Sequence, residues 1–223
     1  LFLLDKTPKK RMKISQLNIN MKNLIIQTYY TDSIQRNTVN TYKRFPKLER
    51  LSKKCFEIYA KNIGADYEFC EKPEKAIQAS AHWLRMVMFN RPDYDNVLYV
   101  DCDILINRFR LTDDIFKHEG VGVNKINFQN YSKYSIFNAG VTKWTRKECQ
   151  IMKENIDNYY HPTHNQNAIN QCYLDNVGSI QWLPYRFNVT HKPTNDITFR
   201  HYAGSHKEKQ NLKRDMIWNQ WNK

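Results

Sequence analysis

Two carboxylates one residue apart, Asp101 and Asp103, follow the apolar run Asn96-Val97-Leu98-Tyr99-Val100 and precede a second one, Ile104-Leu105-Ile106. Such a pair is a hard oxygen donor set for a divalent cation. Along a strand, residues i and i+2 face the same side, so the spacing predicts that both acids converge on one ion. At the carboxyl end of a strand in an open α/β sheet they would also stand where ligands collect. The bland alternative is a solvated or turn-capping pair, and short acidic motifs often arise without function.

A second segment shifts the balance. His201-Tyr202-Ala203-Gly204-Ser205-His206-Lys207 follows another apolar strand and places an imidazole, a glycine and a lysine at three-residue intervals. His201 is the candidate third metal ligand. Gly204 would let backbone approach a phosphate closely, and Lys207 would neutralise charge on a departing group. Taken alone, His201 reads as an ordinary core or surface histidine.

The elements that must carry these groups follow from periodicity. Leu24-Ile25-Ile26-Gln27-Thr28-Tyr29 reads as a buried first strand that leaves the sheet at polar and aromatic residues, with Tyr29 offering a stacking face. Leu48, Leu51, Cys55 and Ile58 recur at helical spacing, with Gly64 as the stop, before a short strand around Tyr67-Glu68-Phe69. A second helix is expected from Glu74 to Phe89, ending before Pro92 and feeding the acid-bearing central strand. The order β-α-β-α-β argues for a mostly parallel central sheet flanked by helices, an α/β class with a Rossmann-like first half. Further strands are expected at Val121–Val123, Phe137–Val141, Ile180–Leu183 and Ile197–Tyr202, and helices at Gln166–Leu174 and Lys209–Trp221. Thr145 with Glu148 has the spacing of a capping box.

At 223 residues the chain suits one domain, expected over 21–223. Residues 1–20 hold five cations against Asp5 and read as a basic leader, disordered or appended to the fold. Five cysteines without paired spacing read as free thiols of a reducing compartment, hence the cytoplasm, or a host cytoplasm or virion if the chain is viral. No apolar run approaches the ~20 residues of a membrane span. The net charge of +13 attracts polyanions of any kind, so a basic nucleic-acid-binding protein is a competing reading, supported by Tyr131, Lys133 and Tyr134. An Asp-x-Asp phosphatase ranks last, because the hydroxyl-bearing continuation it uses is replaced by Ile104-Leu105-Ile106.

Together the motifs resemble metal-dependent, nucleotide-sugar glycosyltransferases of GT-A fold, in particular the glycogenin and bacterial galactosyltransferase group. Arg85 stands in the position of that family's helix arginine, the stretch from Pro92 to Asp103 looks like its Asp-x-Asp approach, and Phe137-Asn138-Ala139-Gly140-Val141 is similar to its Phe-Asn-Ser/Ala-Gly-Val strand. His201-x-x-Gly204-x-x-Lys207 matches its C-terminal motif. A compact version with Ile26-Gln27-Thr28-Tyr29 also resembles capsid-modifying glycosyltransferases of large DNA viruses.

The resemblance implies transfer of a hexose or deoxyhexose from a nucleoside-diphosphate sugar, a UDP-sugar first, to a hydroxyl of a saccharide or glycoprotein, with no specific nucleic acid and no membrane span involved. It implies Mn2+ or Mg2+ on Asp101, Asp103 and His201, and donor contacts from Gln27, Thr28, Tyr29, Asn138, Gly204 and Lys207. Arg85, Gln166 and Lys207 would serve the chemistry. The family's Asp-Gln-Asp is here Asn165-Gln166-Asn167, and amides are neither nucleophiles nor bases at neutral pH. Asn165 reads more simply as a helix cap. Retention by front-face return is therefore the expected course; inversion would need a separate base, with Asp157, Asp175 and Asp196 available by count.

Overall fold

The apolar run after Lys22 becomes β1 (Asn23–Thr28), whose residues from Leu24 onward are buried on both faces. The structure is a computed structural model and describes residues 21–28, 46–70, 86–124, 136–159, 165–190, 196–202 and 212–222. In helix α1 (Pro46–Ile63), Leu48, Ser52, Cys55, Phe56, Tyr59 and Ala60 form the buried stripe. Gly64, at φ +71°, ends it in the left-handed conformation that lacks a Cβ penalty only for glycine. Strands β2 (Asp66–Cys70) and β3 (Asn96–Val100) then flank β1, both parallel to it.

After β3 the chain leaves this sheet. β4 (Ile104–Ile106) pairs with a strand from much later in the chain, while β5 (Gly122–Asn124) and β6 (Phe137–Thr145) complete a five-stranded sheet of order β2-β1-β3-β6-β5. β6 is antiparallel to both its neighbours, so it alone is reversed among five strands. The mostly parallel α/β sheet expected from the element order is present, and the reversed strand is its one departure. β7 (Phe199–His201) pairs antiparallel with β4 as a separate two-stranded sheet.

Two layers of helix cover the large sheet. The period-two alternation sends Leu24, Ile26, Val97 and Tyr99 to one face, where they meet α2 (Arg146–Asn155) and α3 (Asn165–Asn176) through Phe137, Trp144, Met152 and Tyr173. Ile25, Leu98 and Val100 face the opposite layer, built from α1, β4 and α4 (Met216–Trp221). The capping box forms as expected: the Thr145 side chain accepts from the Glu148 N–H, and the Glu148 carboxylate accepts from the Thr145 N–H at 2.7 Å. Of the helix expected from Glu74 to Phe89, residues 74–85 fall outside the described residues and 86–89 form a single 3-10 turn. The strand expected at Ile180–Leu183 is reduced to one bridge, Gly122 to Trp182, because Pro184 turns the chain into a 3-10 turn at Tyr185–Phe187. The C-terminal helix is shorter than expected, since Asp215 caps α4 and separates it from a 3-10 turn at Leu212–Arg214. The leader at 1–20 lies outside the described residues. Among them, no helix is long and apolar enough to cross a membrane.

Candidate metal centre

Asp101, Asp103 and His201 come together, with one donor atom from each lying within 4.8 Å of the others. The reason is not the strand alternation read from the sequence. Asp101 still donates its N–H to the Gly140 carbonyl at 2.8 Å, extending the β3–β6 ladder, but the chain then turns through Cys102 and Asp103. Asp103 is held by the second sheet: Ile104 is the register partner of His201, and the Tyr202 N–H donates to the Asp103 carbonyl at 2.9 Å. One sheet thus presents the first acid, and the other presents the second acid with the imidazole.

The donor set fits a divalent cation. His201 Nε2 stands 3.1 Å from Asp103 Oδ1, close to the ~3 Å edge of an octahedron with metal–oxygen distances of about 2.1 Å. His201 is buried, and its Nδ1 lies 2.8 Å from the Asn188 amide oxygen, which can only accept. That contact places the ring hydrogen on Nδ1 and leaves the Nε2 lone pair facing the carboxylate. Two lone-pair donors this close need a cation or proton between them. Asp101 Oδ1 accepts from the Tyr99 hydroxyl at 2.9 Å, and Tyr99 in turn meets the Thr28 hydroxyl at 3.1 Å.

Gly140 forms the floor of the site. A Cβ there would lie 2.5 Å from His201 Cε1, 2.7 Å from Asp101 Oδ2 and 2.9 Å from Asn138 Oδ1. No signal in the sequence singled out Gly140 or Asn188, although the first stood inside a quoted motif. Asn170 is a third residue not singled out. Fully buried on α3, it accepts from the Ile136 and Phe137 N–H groups and donates to the Phe137 and Gln166 carbonyls, clamping the entry of β6.

The other expected residues divide into three groups. Asn138 and Gln166 reach the site's edge: Asn138 Oδ1 accepts from the Gly140 N–H at 2.8 Å, and Gln166 Oε1 accepts from the Ala139 N–H at 3.2 Å. Gln27 and Thr28, expected to contact the donor, are buried, at 0% and 2% exposure. Gln27 donates to Ser52 Oγ and to the Asp101 carbonyl and accepts from the Tyr67 hydroxyl, while the Thr28 carbonyl accepts from the Cys102 thiol. Burial drives the Tyr67 phenol well above its usual range, so it remains a donor. Both residues therefore brace the acid-bearing turn. Tyr29, Arg85, Gly204 and Lys207 lie outside the described residues, as do Tyr131, Lys133 and Tyr134.

The spare acids do not join the centre. Asp196 pairs with Arg110 at 2.9 Å, and Asp175 binds Tyr159 and Gln171 toward the far end of α3 from Gln166. Asp157 is exposed on the 3-10 turn after α2. The strand carrying His201 is pinned by Asp215, which accepts from Arg200 and the Tyr202 hydroxyl while capping α4.

No protein-family model matches the sequence, and no curated protein matches it. Solved structures do. A glycosyltransferase involved in the glycosylation of the major capsid of PBCV-1 superposes with a TM-score of 0.60 at 14% identity, over 87% of this chain and 100% of that one. The glycosyltransferase GlyE of Streptococcus pneumoniae TIGR4 superposes at 0.53 and 14% identity, over 91% of this chain and 63% of its own. The chain spans the whole of the first and less than two thirds of the second. With its parallel-rich sheet and the Asp-x-Asp turn at the end of β3, it has the fold of the GT-A glycosyltransferases.

Proposed function

We propose that the protein is a glycosyltransferase that moves a hexose or deoxyhexose from a UDP-sugar to a hydroxyl of a glycan or glycoprotein. The observation that carries this reading is the mixed donor triad Asp101, Asp103 and His201 at the carboxyl end of the central strand, above a floor that only glycine leaves open. Those three residues would hold a divalent cation, Mn2+ before Mg2+ because a mixed carboxylate and imidazole set suits a slightly softer ion. When bound, such an ion offsets the negative charge that gathers on a departing diphosphate. Lys207 and Gly204, which follow His201 in sequence, would assist at the same phosphates. Tyr29 would stack on the base, and Arg85 would orient the donor.

Asn138 and Gln166 would direct hydroxyls of the donor sugar. Gln27 and Thr28 act one step removed, by fixing the turn that carries the acids. With amides at Asn165 and Asn167, the chain offers no nucleophile at this segment. Retention then proceeds by front-face return: the anomeric carbon–phosphate bond breaks, the acceptor oxygen bonds from the same side, and its proton passes to the departing phosphate. The five free thiols suit a reducing compartment such as the cytoplasm. Because one structural neighbour is involved in glycosylating a viral capsid, a protein-borne glycan is the acceptor class to test first.

The test is a calorimetric and hydrolytic screen of UDP-sugars with and without Mn2+, in wild type and Asp103→Ala. Donor binding that needs Mn2+ and falls at least ~10-fold in the variant is expected. Equal UDP-sugar binding with and without Mn2+, unchanged by the substitution, removes the proposal.

A further inference from the structure

We propose that the cleft at the amino end of β3 is a second ligand site, for a small amphipathic anion carrying a phosphate or carboxylate on an apolar body. The cleft encloses ≈ 520 Å³, within the ~300–1,000 Å³ of small-molecule pockets. It lies at the opposite end of the sheet from the metal centre. β3 alone separates the two by roughly 16 Å at ~3.3 Å per residue.

Its walls combine two chemistries. Phe89 and Cys149 give an apolar floor, and Phe89 is locked edge-to-face on Trp144 at 5.2 Å, so the floor does not collapse into the space. Burial, and secondarily the Glu148 charge, push the Cys149 thiol up to about 12, so it stays neutral at ordinary pH. Around the floor stand Arg91, Arg146, Lys147 and Lys153, and among the described residues that line the cleft there is no carboxylate, although Gln150 donates to Glu154 beside it. Arg91 is oriented by Glu68 at 2.5 and 2.8 Å, and Arg146 by Asp95 at 2.9 Å. Lys153 is steadied by the Asn90 amide oxygen at 2.9 Å, and both lysines are exposed. An anion at the rim would meet the two lysine charges, while its apolar part lay on Pro92 and Ile151 above the buried floor.

The probes are phenyl phosphate and octyl phosphate, which separate a ring from an alkyl body, with phenol as the uncharged control. Binding is followed by backbone amide shifts at Lys147, Cys149 and Gln150. Saturable binding of at least one phosphate is expected, with phenol binding about tenfold or more weaker. Lys147→Glu and Lys153→Glu, both at exposed positions, should each weaken the phosphate about tenfold or more while leaving the fold intact. Asp103→Ala should leave it unchanged. No saturable binding of either phosphate, wild-type affinity in both lysine variants, or loss in Asp103→Ala overturns the proposal, the last by placing the probe at the metal centre instead.

Discussion

Adding one methyl group under the metal centre, Gly140→Ala, isolates the geometry from the chemistry because no ligand is removed. Backbone strain plays no part, since Gly140 is not among the glycines at positive φ. The new carbon would stand 2.5 Å from His201 Cε1 and 2.7 Å from Asp101 Oδ2. Carbon atoms pack at about 3.5–4.0 Å, so ring or carboxylate must retreat by about 1 Å. The ring has little room: it is buried, tied to Asn188 at 2.8 Å and carried by a strand paired to β4. A displacement of that size costs about 100-fold where reacting groups must be held in register. Overpacking of this kind costs about 1–3 kcal/mol of stability, so the variant still folds. We expect Gly140→Ala to keep a cooperative thermal transition, to bind Mn2+ 10–100-fold more weakly by calorimetry, and to lose donor hydrolysis about 100-fold. Wild-type Mn2+ affinity in a folded Gly140→Ala would refute the reasoning, because the three side chains would then not meet over that glycine.

Two more outcomes follow from named contacts. Asn188→Ala removes the acceptor that orients His201 and should weaken Mn2+ binding by about 10–100-fold, whereas Asn188→Asp, still an acceptor, should retain most of it; equal affinities in all three proteins would deny Asn188 that role. Burial opposes ionisation of Asp113, but hydrogen bonds from Arg186 at 2.8 Å and Thr198 at 2.6 Å, with the Arg186 charge, hold its carboxyl below the usual 3.8. The stability this supplies is therefore complete above about 3.8 and is lost as pH falls through the lowered value. Urea midpoints of wild type and Asp113→Asn should differ at pH 6 and converge toward pH 2.5; a gap that stays constant would contradict the assignment.

What the sequence disclosed was local. The helix α1 with its glycine stop, the Thr145–Glu148 box and the buried strands β1 and β3 are written in nearest-neighbour periodicity, which needs no knowledge of distant partners, although of the stripe expected on α1 only Leu48 and Cys55 are buried, Leu51 is half-buried and Ile58 is exposed. The three residues of the triad were legible too, through residue type and motif order, yet the cause of their meeting was not. Alternation along one strand suggested i and i+2 on a common face, while the chain in fact turns after Asp101 and enters a second sheet. Pairing partners and directions, such as β4 with β7 or the reversal of β6, depend on contacts between segments far apart and leave no trace in periodicity. The same holds for Asn188, whose amide matters only because β7 lies beside it, and for Gln27 and Thr28, whose polar side chains suggested ligand contact before their burial was known.

The pairing of β4 with β7 also ties the candidate metal site to the history of the chain. The two acids emerge from the ribosome long before the imidazole, and only docking of a late strand brings the third donor to them. Contacts of such high sequence separation form slowly, after the entropy of closing a long loop has been met. A growing polypeptide thus carries a carboxylate pair without its imidazole partner, and the assembled triad arrives as one of the last events of folding.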